Sequence, residues 1–177
     1  MAVMRRAVLV GIMAAALAGC GGRTTVSAPA SGPVAEAKIG DFAGSWIGAS
    51  QEEVQRASAL ILEPHSDGGF RLFWRNVQAG QPNEGLEFRE RELAFQPSTR
   101  PNFWTATVPA DRAYATASLA GPTLTVEVVG TTKDGKVERQ LYRRTLVDST
   151  HLKLAYTREV AGQPASTIEG DFIRKPA

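Results

Sequence analysis

Cysteine is nearly absent from this chain: among its 177 residues only Cys20 is one, so no internal disulfide can form. Histidine is scarce too. His65 and His151 are the only two, each beside a turn signal and neither with a partner at metal-ligand spacing, so no metal site is expected. The chain has no Gly-x-Ser-x-Gly elbow, no phosphate-binding loop and no dinucleotide glycine motif, and carboxylates such as Glu63, Glu87 and Glu92 read as solvated strand faces. No catalytic set, and therefore neither an enzyme nor a cofactor, is expected. Charge of one sign is not in excess, with 20 Lys and Arg against 18 Asp and Glu. Without a clustered positive field there is no reason to expect a nucleic-acid partner. The nearest thing to a basic patch, Arg139, Arg143 and Arg144, reads as a solvated strand face. Long apolar runs are missing as well: outside residues 7–18 nothing approaches the roughly 18 to 20 residues that a membrane-spanning helix needs.

What is present begins at the N-terminus. Arg5-Arg6, the apolar run Ala7 to Ala18 and small residues before a cut site have the layout of a secretory signal peptide. The sequence Leu17-Ala18-Gly19-Cys20 resembles a bacterial lipobox. That resemblance to bacterial lipoproteins implies that residues 1–19 are removed and that Cys20 carries lipid. Several acyl chains anchor a protein stably, at about 0.8 kcal/mol per buried methylene, without any spanning segment. Gly21 stands where an aspartate often marks inner-membrane retention in sorted lipoproteins, so the resemblance implies a place at the outer membrane, facing the periplasm. Removal of the signal takes Arg5 and Arg6 and no acidic residue, which leaves 18 basic residues against 18 acidic ones. Residues 20–39, rich in Gly, Ser, Thr, Ala and Pro, read as a lipidated flexible tether, because such a composition buries too little apolar surface to offset the entropy of ordering.

Residues 40–177 then form one domain. Short β-branched and aromatic runs recur between turn signals about every 8 to 14 residues, the spacing of an all-β barrel or sandwich. Ala57 to Glu63 and Phe70 to Val77 flank Ser66-Asp67-Gly68-Gly69 as a hairpin. Asp134-Gly135, Ala161-Gly162-Gln163-Pro164 and Gly121-Pro122 mark three further turns. Leu124, Val126, Val128 and Leu152, Leu154, Tyr156 alternate with polar residues, as half-buried antiparallel strands do. Gln51 to Ala59, after Ser50, reads as a short helix or a loop. In Glu84 to Phe95 the apolar positions change phase, which a β-bulge would explain.

The domain opens with Gly44-Ser45-Trp46 and closes with Phe172-Ile173-Arg174. In this it resembles the calycins, the lipocalin and fatty-acid-binding-protein group of small antiparallel up-and-down barrels. The resemblance implies about 8–10 strands, with a β-sandwich as the alternative, and Arg174 packed across the Trp46 ring beside Gly44 at the closed end. An arginine over indole gains about 0.5 to 2 kcal/mol. It also implies a small hydrophobic or amphipathic ligand inside the barrel. The alternative function is a protein interaction or a structural accessory role in the envelope. Arg71, Phe73 and Arg75 share one strand face and would contact an anionic headgroup if that face points inward. The aromatic residues Phe70, Trp74, Phe103, Trp104, Tyr114, Tyr142 and Tyr156 are expected mainly in the core.

Overall fold

The computed structural model describes residues 34–50, 56–79, 86–108 and 113–176. The signal peptide, Cys20 and the greater part of the tether lie outside the described residues. A short 3-10 helix (Ile39–Phe42) leads into ten strands: β1 (Gly44–Ser50), β2 (Arg56–Pro64), β3 (Phe70–Ala79), β4 (Leu86–Pro97), β5 (Phe103–Val108), β6 (Ala113–Ala120), β7 (Thr123–Thr131), β8 (Val137–Leu146), β9 (His151–Val160) and β10 (Ser166–Arg174). Each strand pairs antiparallel with its neighbours in sequence, and β10 returns to β1, so the sheet closes into an up-and-down barrel. Closure removes the unpaired edges that an open sheet exposes.

The register follows from the alternation of apolar and polar residues. Trp46 stands opposite Leu60, Leu60 opposite Trp74, and Leu62 opposite Leu72, so these side chains share the inner face. Leu124, Val126 and Val128 do the same on β7 and are all buried. One residue of slip would turn each of these sets into water. Close approach fixes the β1–β10 seam. A Cβ at Gly48 would sit 2.7 Å from the Asp171 carbonyl oxygen and 2.8 Å from the Phe172 ring, so only glycine lets Phe172 fold inward across β1.

The structure departs from the sequence reading in three places. Arg56 to Ala59 are strand, as the hairpin reading of Ala57 to Glu63 has it and against the reading of Gln51 to Ala59 as a short helix or a loop, because pairing with β1 and β3 overrides a weak local preference, and residues 51–55 lie outside the described residues. No bulge interrupts the ladder between β3 and β4, whose register runs unbroken from Phe70↔Phe95 to Ala79↔Leu86. The phase change instead puts Leu93 and Phe95 on the opposite register parity from Leu86 and Phe88. A strand over Phe103–Val108, which turn and alternation signals left unmarked, pairs with β4 and β6.

One end of the barrel is plugged. Phe42 is buried beneath Trp46, whose Nε1–H donates to the Phe42 carbonyl at 2.9 Å. Phe70 stacks on Phe95 with centroids 4.7 Å apart and meets Trp104 edge-on at 5.4 Å. The Trp104 indole N–H in turn donates to the Gly68 carbonyl in the β2–β3 turn at 2.8 Å. Val34, Ala37 and Ile39 pack against this core from outside, and the Ala37 N–H donates to the Gly121 carbonyl, so the chain meets the barrel a few residues before Gly40.

Candidate functional site

The set Gly44, Trp46 and Arg174 lies at the plugged end. Arg174 is the direct cross-strand partner of Trp46, and its guanidinium carbon lies 4.1 Å from the centroid of the indole ring. Its N–H groups also donate to the carbonyls of Asp41, Ala43 and Ser149. One side chain therefore ties the last strand to the 3-10 helix, the start of β1 and the β8–β9 turn. Gly44 has φ of 102°, and a Cβ there would meet Arg174 Nη1 at 3.5 Å. This corner closes the barrel, which leaves the opposite end for a ligand.

Arg71, Phe73 and Arg75 do not face the lumen. They alternate with the inward Leu72 and Trp74, and Arg71 and Arg75 lie exposed on the outer wall. There Arg71 pairs with Glu92 at 3.2 Å and Glu63 at 3.8 Å, and Arg75 pairs with Glu90. The condition for their contact with an enclosed headgroup, an inward-pointing face, is not met. Tyr114 also faces out, 57% exposed. His65 begins the β2–β3 turn, and His151 opens β9 beside Asp148 of the β8–β9 turn. Among the described residues no group of three or more His, Cys, Asp or Glu is placed to hold a metal ion.

The fully buried cation among the described residues is Arg144, which the sequence reading placed on a solvated face with Arg139 and Arg143. Adjacent strand residues point to opposite faces. Arg139 and Arg143 are exposed, while Arg144, opposite Leu124 on β7 and Leu154 on β9, is 3% exposed. The legible signal was its phase: Arg144 lies two residues from Tyr142 and two from Leu146, both buried. Its guanidinium carbon sits 5.0 Å from the Tyr142 ring and 5.7 Å from the Trp74 ring. Its Nη1 has no hydrogen-bond partner. Burial lowers its pKa to about 10, so it carries its charge at neutral pH.

From Arg144 a polar row climbs the inner face of β8 toward the far end. The Tyr142 hydroxyl donates to Gln140 Oε1 at 2.8 Å, Gln140 Nε2 donates to Glu138 Oε1 at 2.7 Å, and Arg158 Nε donates to the same oxygen at 2.6 Å. Burial pushes the Glu138 carboxyl up, but the hydrogen bonds from Arg158 and Gln140 outweigh it and leave its pKa below the ordinary value. Burial raises the Tyr142 and Tyr156 phenols, so both stay protonated donors. At the top of this row is a cavity of about 390 Å³, bordered by Arg91, Ala113, Val128, Gly130, Glu138 and Gln140. That volume suits a small ligand.

Neither a family model nor a curated protein sequence matches the chain. Solved structures align with much of the chain. The S-type phycobiliprotein lyase CPES from Guillardia theta aligns over 78% of this chain and 91% of its own, with a TM-score of 0.50 and 10% identity. Rv2717c from M. tuberculosis aligns over 80% of this chain and 99% of its own, with a TM-score of 0.49 and 14% identity. The fold is calycin-like. At such identities the likeness carries the architecture alone, so the chemistry of this calycin-like barrel has to be read from its own side chains.

Proposed function

We propose that the protein is a non-enzymatic binder of a small amphipathic anion, which enters the far end of the barrel and sets its charged group against Arg144. The observation that carries this reading is the guanidinium of Arg144, the one charged side chain that is fully buried among the described residues. Taking such a charge out of water costs several kcal/mol. Two aromatic faces return about 2 kcal/mol or more when desolvated, which leaves a deficit that no carboxylate among the described residues offsets by an ion pair with Nη1. A carboxylate brought by a ligand forms charge-assisted hydrogen bonds with the open Nη1, and the cavity of about 390 Å³ beyond Tyr142 and Gln140 holds the rest of the molecule.

In the same reading, lipid on Cys20 holds the protein at the outer membrane on the periplasmic side, the residues between Cys20 and Val34 serve as a tether, and the barrel works as a carrier or sensor in the cell envelope. The lipobox and the apolar run before it support this part. Native mass spectrometry of protein purified from the envelope, followed by negative-ion analysis of its solvent extract, tests the ligand. A stoichiometric small acid is expected. An extract free of any small acid, together with no uptake of added acids, contradicts the reading. The mass of the mature N-terminus tests the anchor, since an unmodified Cys20 in membrane-extracted protein rules it out.

One observation favours a second reading, that of a protein-interaction module. Ile47 and Ile173 are cross-strand partners on the outer wall and are 53% and 59% exposed, an apolar pair of the kind that partner proteins cover. Crosslinking at position 47 in cells that yields no discrete product counts against it.

A further inference from the structure

A groove of about 640 Å³ crosses the outer wall of the barrel where β8, β9 and β10 lie side by side, and Ala155 and Gly170 leave its floor low between longer side chains. The register sets which charges face each other. Arg143 and Glu169 flank Ala155 from its two sides, each as a direct cross-strand partner, and Lys153 in the next row stands between Thr145 and Asp171. Arg143, Lys153, Glu169 and Asp171 border the groove and are exposed, while Arg144, Leu152 and Phe172, one position away on the same strands, are buried. The groove is therefore outside the lumen and separate from the enclosed anion site.

Elsewhere on the outer wall, arginines are neutralised from the adjacent strands: Arg71 by Glu63 and Glu92, Arg75 by Glu90, and Arg139 by Glu127 and Glu159. Arg143 departs from that pattern. Its direct partners are Thr125 and Ala155, and Glu127, diagonal to it, is taken by Arg139. The carboxylate of Glu169 is one strand further, about 10 Å away at the backbone. Among the described residues, none of Arg143, Lys153 and Glu169 closes an ion pair.

We propose that this groove binds a phosphoethanolamine group, a zwitterion in which two carbons join a phosphate to an ammonium. The lining carries two cations and two carboxylates, so a simple anion is repelled by Glu169 and Asp171, and a simple cation by Arg143 and Lys153. Only a dipolar ion gains from both halves. Arg143 and Lys153 are diagonal neighbours, about 7 to 8 Å apart at the base of their side chains, which lets both converge on one phosphate. A guanidinium matches phosphate with paired N–H donors. The ammonium then lies over Ala155 toward Glu169 and fills the gap that the two side chains leave between them. The groove is open to solvent along the wall, so the group that enters it is either part of a free solute or the head of a lipid.

The test is NMR titration of the full-length protein in nonionic detergent micelles. The probes are glycerophosphoethanolamine, glycerophosphoglycerol, which is the same diester without the ammonium, and ethanolamine, which lacks the phosphate. Glycerophosphoethanolamine is expected to shift the amides of Arg143, Lys153, Ala155 and Glu169, and to bind at least about fivefold tighter than either of the others. Glu169→Gln should bring it down to the affinity of glycerophosphoglycerol, whereas Arg143→Gln should weaken both diesters. Equal affinity for the two diesters in the unaltered protein, or shifts that avoid these amides, overturns the proposal. Displacement of the free compound by phosphatidylethanolamine in the micelles, but not by phosphatidylglycerol, assigns the group to a lipid. Displacement by neither assigns it to a soluble zwitterion, and displacement by both alike removes the selectivity and overturns the proposal.

Discussion

Arg174 lies over Trp46, with its guanidinium carbon 4.1 Å from the ring centroid, and the two residues are cross-strand partners where β1 meets β10. Residues in contact do not contribute independently. Trp46→Ala is expected to cost about 3 to 5 kcal/mol as a large core truncation, and Arg174→Ala to cost less. The double variant should fall short of the sum by about 0.5 to 2 kcal/mol, the range for a cation over indole. Urea unfolding of the four proteins in the cycle measures this. Strict additivity contradicts the contact.

The β1–β10 seam makes a sharper prediction at Gly48. A methyl group at that position would overlap the Asp171 carbonyl and the Phe172 ring, and the backbone oxygen cannot swing aside as a side-chain tip can. Gly48→Ala should therefore destabilise the barrel by about 2 kcal/mol or more. A melting temperature equal to the parent's would show that the seam is looser than described.

How much of this was legible in the sequence depends on the period of each signal. Alternation with period two exposed the strands and the inward rows on β7 and β9, and turn residues located four of the reversals. The pairing of Trp46 with Arg174 was legible only through the resemblance to the calycins, since nothing local joins the two ends of the folded segment. Arg144 was not, because a run of basic residues reads as one patch until it is split by face. Once β8 is recognised as a strand, the phase shared by Tyr142, Arg144 and Leu146 puts Arg144 inside. The contact between the Trp74 and Tyr142 rings depends on which strands are diametrically opposed, and nothing local in either segment encodes that.

The outer location of Arg71 and Arg75 has a measurable consequence. Both make ion pairs in which the side chains are nearly half exposed, and such pairs contribute about 0 to 1 kcal/mol. Arg71→Gln with Arg75→Gln is expected to leave affinity for octanoate, a small amphipathic anion, unchanged and to change stability by no more than about 1 kcal/mol. A marked loss of binding in that variant would mean that the ligand sits on the outer wall.

Asp148 gives the fold an acid-sensitive corner. Its carboxylate accepts from the Thr150 hydroxyl at 2.7 Å, from the Thr150 N–H at 2.7 Å and from the His151 N–H at 2.8 Å. These bonds, those from Thr150 first, hold its pKa well below the usual carboxylate range. A depressed carboxylate stabilises the fold above its unfolded pKa of about 3.9 and loses that contribution as pH falls toward its folded value. Asp148→Asn should thus be less stable than the parent at pH 7, and the gap should narrow as the pH drops below about 4. Urea unfolding at both pH values checks it. A gap of constant size would assign the effect to shape rather than charge.

The central claim rests on Arg144, and the most direct measurement is Arg144→Met, assayed for stability and for octanoate binding on the same sample. Replacing an unpaired buried cation by an apolar side chain of similar length removes a desolvation cost, so the fold should melt at the parent's temperature or above it. Binding should weaken at least about tenfold, since a charge-assisted contact is lost. Undiminished affinity in a folded Arg144→Met protein, or a loss of binding that merely accompanies unfolding, contradicts the account.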